Sequence, residues 1–228
     1  MESNLNKCPY CGKTFTRERT LQVHVCEQKR RHLQKNEKWV QTAFVVFQRF
    51  YEIHQRSGKP KTYDEFCKSA YYNAFVKFGR HMNHINPLYP EKFIDYVITS
   101  KIKLDHWARD DLYEAYLVDV LRSETVEDAL RRSIQTMMEW AEQQSVQWSD
   151  YFRLVNTSRA VQHIQYGRIS PWLVLGCPAG KKMLQSFTDE QLQMINRFID
   201  PNFWNNKFRN YPADLLFVKE TAKEARIE

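Results

Sequence analysis

The first thirty residues hold Cys8, Cys11, His24 and Cys26 but too few large apolar side chains to enclose a core. Such a stub folds only if something other than apolar burial organises it. Cys8-Pro9-Tyr10-Cys11 is a turn that sets two thiolates on one side of a tetrahedron, the arrangement zinc prefers. Twelve residues then separate Cys11 from His24, room for a short hairpin and two turns of helix. Phe15 and Leu21 fall between them as the apolar residues that pack about the ion. The expectation is one structural zinc ion holding a small ββα unit.

The string Cys8-x2-Cys11-x3-Phe15-x5-Leu21-x2-His24 resembles the C2H2 zinc-finger family, over residues from about 7 to 32. The family's second histidine follows the first by about four to six residues. Here those positions hold Gln28, Lys29 and Arg30, with Cys26 nearer to His24 and His32 further on. On an unbroken helix Cys26 would point away from the ion, and His32 would lie about 12 Å along the axis. A distorted helix end must bring one of them in. Cys26 is favoured as the fourth ligand, because thiolate suits zinc and a short distortion is easier than folding back a whole turn. His32 is the alternative.

The resemblance also implies a helix that enters the DNA major groove and reads bases from positions −1, 3 and 6 of that helix. The matching residues are Arg17, Thr20 and Val23. Arg17 suits a bidentate contact to guanine, Thr20 is permissive, and Val23 offers a methyl contact. One finger buries too little surface for tight specific binding by itself.

Charge supports a polyanionic partner. The chain carries +7 overall; residues 1–36 hold eight Lys/Arg against three Asp/Glu, residues 37–110 twelve against eight, and residues 111–228 fourteen against sixteen. Lys13, Arg17, Arg19, Lys29, Arg30, Arg31, Lys35 and Lys38 lie in or just beyond the finger, each able to displace counterions from a phosphate whatever the sequence. The competing reading is a polar connecting helix, or a finger that docks on protein.

Beyond residue 36 the chain reads as successive helices, and six glycines argue against many tight hairpins. The fold class is mainly α, with a zinc finger and basic extension over 1–36 and an all-helical domain over 37–228. The first long helix spans about 37–56, with Trp39, Ala43, Phe47, Phe50 and His54 on one stripe and Ser57-Gly58-Lys59-Pro60 ending it. The next opens on a Thr62/Glu65 capping box and carries Phe66, Ala70, Ala74, Phe75 and Phe78 inward. A third follows Pro90 with Phe93, Tyr96 and Val97; further helices are expected over 107–122, 125–144, 149–166 and 188–199 and after Pro212. Gly167 falls where a helix end requires a left-handed residue. The aromatic residues, 14% of the chain, are first of all core.

Several chemical signals are set aside. Gly176-Cys-Pro-Ala-Gly180-Lys181-Lys182 resembles a phosphate loop but is one residue short, and Lys182 replaces the hydroxyl residue that would hold magnesium. His81 and His84 lack carboxylates at a helpful spacing, and Asp110/Asp111 and Glu127/Asp128 read as first-turn helix charges. Phe203-Trp204 to Phe208-Arg209-Asn210-Tyr211 mixes aromatics and cations as single-strand binders do, yet its spacing serves core packing. Cys67 and Cys177 read as buried apolar residues.

These readings converge on a non-enzymatic, zinc-dependent nucleic-acid-binding protein, with DNA as the expected partner and the helical body recruiting a protein. The alternatives are an enzyme acting on nucleic acid with the finger as its docking module, and a protein–protein adaptor. No small-molecule substrate is evident. No apolar run spans a membrane and MESNLNKCPYCG lacks a secretory apolar stretch, so the expected location is cytoplasmic. A small finger fused to an aromatic-rich helical body, chiefly Ile169-Ser-Pro-Trp172 to Tyr211, is similar to uncharacterised proteins of large tailed phages. That likeness implies a role in phage replication, recombination or transcription in the host cytoplasm, and assigns no activity.

Overall fold

The computed structural model describes residues 6–55 and 58–227. Two compact units meet in sequence at Arg109/Asp110. The division expected after residue 36 falls inside the first of them. Fifteen α-helices and one two-stranded sheet make the fold mainly α among the described residues.

The first unit opens with antiparallel strands β1 (Asn6–Lys7) and β2 (Thr14–Phe15), registered Asn6 to Phe15 and Lys7 to Thr14. Short helices α1 (Glu18–Val23) and α2 (Glu27–Leu33) follow, then α3 (Lys38–His54), α4 (Tyr63–Lys68), α5 (Tyr72–Ile85) and α6 (Pro90–Thr99). The stripe expected on α3 buries Ala43 and Phe47 and half-buries Trp39 and Phe50, with Val40 and Val46 also enclosed. His54 is exposed, its ring resting on Phe50 at 4.4 Å. The helix end expected at Arg56 and Ser57 lies outside the described residues. α3 and α5 cross closely because Gly79 has no side chain: a Cβ there would collide with the Trp39 carbonyl oxygen. Phe47, Phe66, Phe75, Phe78 and Phe93 form the core with Trp107, whose indole donates to the Ile102 carbonyl at 2.9 Å.

One expected helix is two. The Thr62/Glu65 capping box starts α4 as anticipated, but the chain leaves helical geometry at Ser69, φ −64 and ψ 135, before α5 begins. Ser69 Oγ accepts the Tyr71 N–H at 3.1 Å, closing a local turn that competes with the helix. The interruption leaves the Cys67 carbonyl open to a partner elsewhere, while the Ser69 carbonyl accepts the Tyr72 N–H at 3.2 Å and keeps a second lone pair. It also turns Ala70 outward, against expectation, while Phe66, Phe75 and Phe78 remain buried and Ala74 half-buried.

The second unit comprises α7 (Asp110–Ser123), α8 (Val126–Gln144), α9 (Tyr151–Leu154), α10 (Thr157–Gln165), α11 (Pro171–Gly176), α12 (Pro178–Leu184), α13 (Asp189–Ile195), α14 (Pro201–Asn210) and α15 (Pro212–Glu224). The single helix expected over 149–166 is again divided. Asn156 is extended and its side chain accepts the Arg159 N–H, a cap that starts α10. Gly167 has φ +69, as its place after a helix end demands. The segment after it is fixed by a buried ion pair: Arg132 grips Glu124 at 2.5 and 2.9 Å and donates to the Gly167 carbonyl, while Ser170 Oγ donates to Glu124. Among the described residues no helix is long and apolar enough to cross a membrane.

Candidate metal centre

The hairpin builds the first half of the site. Cys8 N–H donates to the Lys13 carbonyl at 2.8 Å and Gly12 N–H to the Cys8 carbonyl at 2.9 Å, closing a tight knuckle around Cys8 and Cys11. α1 begins at Glu18 with Arg17 as its N-cap and turns Leu21 and His24 toward the sheet, the His24 ring 4.7 Å from Phe15.

The second half depends on where α1 stops. The backbone leaves the helix at His24, φ −69 and ψ 118, and at Cys26, φ −97 and ψ 166, it turns into α2. Cys26 is the N-cap of α2, and its Sγ accepts the Lys29 N–H at 3.4 Å. A full chain break between two short helices, rather than a frayed end of one helix, therefore swings Cys26 back beside the knuckle. Cys8 Sγ lies 3.9 Å from Cys26 Sγ, and Cys11 Sγ lies 3.3 Å from His24 Nε2. All four donor atoms fall within 4.8 Å of one another, the one group of three or more such side chains among the described residues. A tetrahedral ion with metal–sulfur bonds of about 2.3 Å and metal–nitrogen bonds of about 2.0 Å has edges of about 3.8 and 3.5 Å. The Cys8–Cys26 and Cys11–His24 separations match these within a few tenths of an ångström, and with all four donors inside 4.8 Å this Cys3His group can hold a metal ion.

The Cys8 and Cys11 thiols are shifted in opposite directions. The Cys11 and Tyr10 N–H groups hold the Cys8 thiol below its ordinary range. The Lys13 N–H acts on Cys11 in the same sense, but burial and the neighbouring Cys8 and Cys26 thiols outweigh it and raise Cys11. The neighbouring sulfurs thus favour the Cys8 thiolate and disfavour that of Cys11, and a cation shared between the two would favour both.

His32, the alternative fourth ligand, is occupied elsewhere. Its Nδ1 is 2.8 Å from the Gln28 carbonyl and its Nε2 2.9 Å from Asp64 Oδ1, and its ring lies between Tyr10 and Tyr63.

The cations predicted to meet phosphate divide into two sets. Lys13, Arg17, Arg19 and Thr20 are exposed, and neither Lys13, Arg17 nor Arg19 has an ion pair among the described residues. Lys7, on the same hairpin, joins them. Lys35 and Lys38 are also exposed, Lys35 reaching over the Tyr63 ring. Lys29 is half-buried with Nζ donating to the His24 carbonyl, and Arg30 is exposed but paired with Glu27. Arg31 is committed to the fold. Its Nη1 donates to the Cys67 carbonyl at 2.7 Å and the Ser69 carbonyl at 3.3 Å, its Nε to Glu27 at 3.1 Å, and its guanidinium lies 4.3 Å from the Tyr72 ring centre. The Tyr63 hydroxyl donates to the Arg31 carbonyl at 2.8 Å. Tyr10, Tyr63 and Asp64 thus seat the basic helix on the helical body, a role no local sequence pattern announces.

The segments set aside on sequence take ordinary places. Cys177 caps α12 within a helical pair, His81 and His84 join no metal-ligating group among the described residues, and Asp110/Asp111 and Glu127/Asp128 occupy first helical turns. Trp204 is buried edge-on against Trp172 at 5.7 Å, and Lys207 donates to the Arg122 carbonyl, so the aromatic segment of α14 serves packing. Comparison of the chain with family models, curated proteins and solved structures finds no match.

Proposed function

We propose that the Cys3His group binds one structural zinc ion and that the finger it organises engages nucleic acid, DNA first, through phosphate contacts. In this reading the helical body recruits a protein partner in DNA replication, recombination or transcription. Three thiolates and an imidazole are the ligand set of structural zinc, and a stub without a core gains its folding free energy from the ion. The observation that carries the nucleic-acid reading is the outward face of α1. Arg17, Arg19, Thr20 and Val23 are all exposed, the two arginines without ion pairs among the described residues, while the ligand-bearing face is turned inward. The likeness to phage proteins rests on sequence alone, and in this reading the role is exercised in the host cytoplasm.

Binding of zinc-loaded protein to duplex, single-stranded and forked DNA, followed by fluorescence anisotropy across a salt series, tests the proposal. Each phosphate contact contributes about 0.9 to the slope of log affinity against log salt on duplex DNA. Arg17→Ala/Arg19→Ala should lower that slope by about two. An unchanged slope, or no affinity in the parent, rejects the reading.

A protein partner for the finger is the second reading, favoured by Val23, Val25 and Leu33, which are 72%, 69% and 71% exposed on or beside α1 and α2.

A further inference from the structure

We infer that the cleft between α2 and α5 is a phosphate site, seating one nucleotide of the strand that the finger engages. This inference rests on the nucleic-acid reading for the identity of the strand, and on its own geometry for the phosphate. The cleft encloses about 460 Å³ and is lined by Arg30 and Gln34 from the α2 side and by Asn73, Val76, Lys77 and Arg80 from α5. That volume lies in the range of sites for small organic ligands, roughly 300–1,000 Å³.

Asn73, Lys77 and Arg80 follow the i, i+4, i+7 spacing of a single helix face, so an amide, an ammonium and a guanidinium stand in a row about 10 Å long. Lys77 and Arg80 are both exposed. Like charges three residues apart on a helix repel each other by a few tenths of a kcal/mol, a cost that an anion between them removes. Arg30 closes the cleft from the facing helix. The one carboxylate lining it is Glu27, which Arg30 and Arg31 already share at 2.5 and 3.1 Å. Three cations thus face a single neutralised acid. Lys77 Nζ reaches only a backbone oxygen, that of Asp105 at 3.4 Å, and Arg80 rests 5.5 Å from the Trp39 ring centre. Neither has an ion pair among the described residues. Tyr72 and Val76 supply the apolar wall against which a sugar or base can lie, and Gln34 and Asn73 supply donors and acceptors for its edge.

α2 is also the helix whose N-cap is Cys26. The same helix thus joins the Cys3His group at its first turn to the cleft at Arg30 and Gln34.

The test uses full-length, zinc-loaded protein and Lys77→Gln/Arg80→Gln, whose exposed positions leave the thermal midpoint unchanged as the folding control. Two readouts are taken. The first is the salt slope of DNA affinity, expected to fall by about one to two for this variant, separately from the loss in Arg17→Ala/Arg19→Ala. The second is the amide NMR spectrum under inorganic pyrophosphate, expected to shift Asn73, Lys77 and Arg80 in the parent and not in the variant. A parent that binds DNA with a slope the cleft variant leaves unaltered overturns the inference and leaves the finger reading standing. A parent that binds no DNA, yet shows the pyrophosphate shifts, rejects the finger reading and converts the cleft into a site for free phosphate compounds. Absence of both the slope change and the shifts overturns the site altogether.

Discussion

Replacing Arg31 by methionine keeps the apolar stem and removes every interaction of the guanidinium. The side chain is 13% exposed, so little solvent is present to compensate. Two carbonyls, of Cys67 and Ser69, lose a charged donor. A hydrogen bond to a charged group is worth about 1.5–3 kcal/mol, the longer of these two falling at the low end. The contact with the Tyr72 ring adds about 1 kcal/mol. The pair with the partly exposed Glu27 adds about 0.5 kcal/mol. Incomplete additivity within one cluster brings the total to about 3–4 kcal/mol. Amide hydrogen exchange of zinc-loaded protein, read on peptides from α2 and α4, measures this directly: protection should fall by about 10²–10³-fold. Arg31→Lys should recover less than half of the loss, since an ammonium cannot span both carbonyls and the ring. Protection unchanged within about fivefold, less than about 1 kcal/mol, would refute the assignment of Arg31 as the residue that seats α2 on the body. It also follows that Arg31 is a poor probe of phosphate contact, because its loss loosens the helix that presents the other cations.

Cys26→Ala should cost the one bound metal equivalent in elemental analysis of purified protein, whereas His32→Ala should retain it and lose only α2 protection; the opposite pattern would make His32 the fourth ligand. In the second unit, burial beside Arg159 and Arg168 pushes His163 down to about 4, with its Nδ1 2.7 Å from the Tyr151 hydroxyl. A folded pKa below the unfolded value near 6.5 means that unfolding takes up a proton between these limits. Stability is therefore full above pH 6.5 and falls as pH drops toward 4, by about 2 kcal/mol once the ring's partial exposure is allowed for. Urea midpoints at pH 7 and 4.5 should show that drop in the parent and lack most of it in His163→Leu; equal drops in both would exclude His163 as its source.

What the sequence disclosed, and what it hid, follow from range. The knuckle, the place where α1 begins and the Thr62 capping box are encoded within a few residues of where they act. The stripe of Ala43 and Phe47 on α3 was legible for the same reason. The break at Ser69 was not: Ala70 continues a perfectly good helical pattern, and it is the distant Arg31 that donates to the Cys67 carbonyl and adds a second donor to the Ser69 carbonyl. The break at Asn156 was legible in principle, since Asn before Thr157-Ser158-Arg159 is an ordinary N-cap that the apolar period alone passes over. In the site, the distortion that brings Cys26 to the cluster is a break after α1 in which Cys26 becomes the N-cap of a second helix, a form of the distorted helix end that the sequence leaves unspecified. The division of the basic residues into exposed and committed could not be read from charge, because Arg30 and Arg31 are neighbours in sequence with opposite fates.

The Cys3His group and the docking of α2 are parts of one device. Cys26 can approach Cys8 only if the helix breaks at His24, and that break sets the direction in which α2 leaves. Cys26 Sγ, as the N-cap, also fixes the first turn of α2. With that register, Arg31 faces the carbonyls opened at Ser69 and His32 faces Asp64, while Tyr10, held between the two knuckle cysteines, packs on His32 from the other side. An ion that draws the four ligands together therefore also aligns the seat, and the seat holds Cys26 near the ion by restricting α2. Each lowers the conformational entropy the other must overcome. The consequence for function is positional: a single finger on a flexible tether would present its cations in every direction, whereas here Arg17, Arg19, Arg30, Lys77 and Arg80 belong to one compact unit, which an ion in the Cys3His group would brace further.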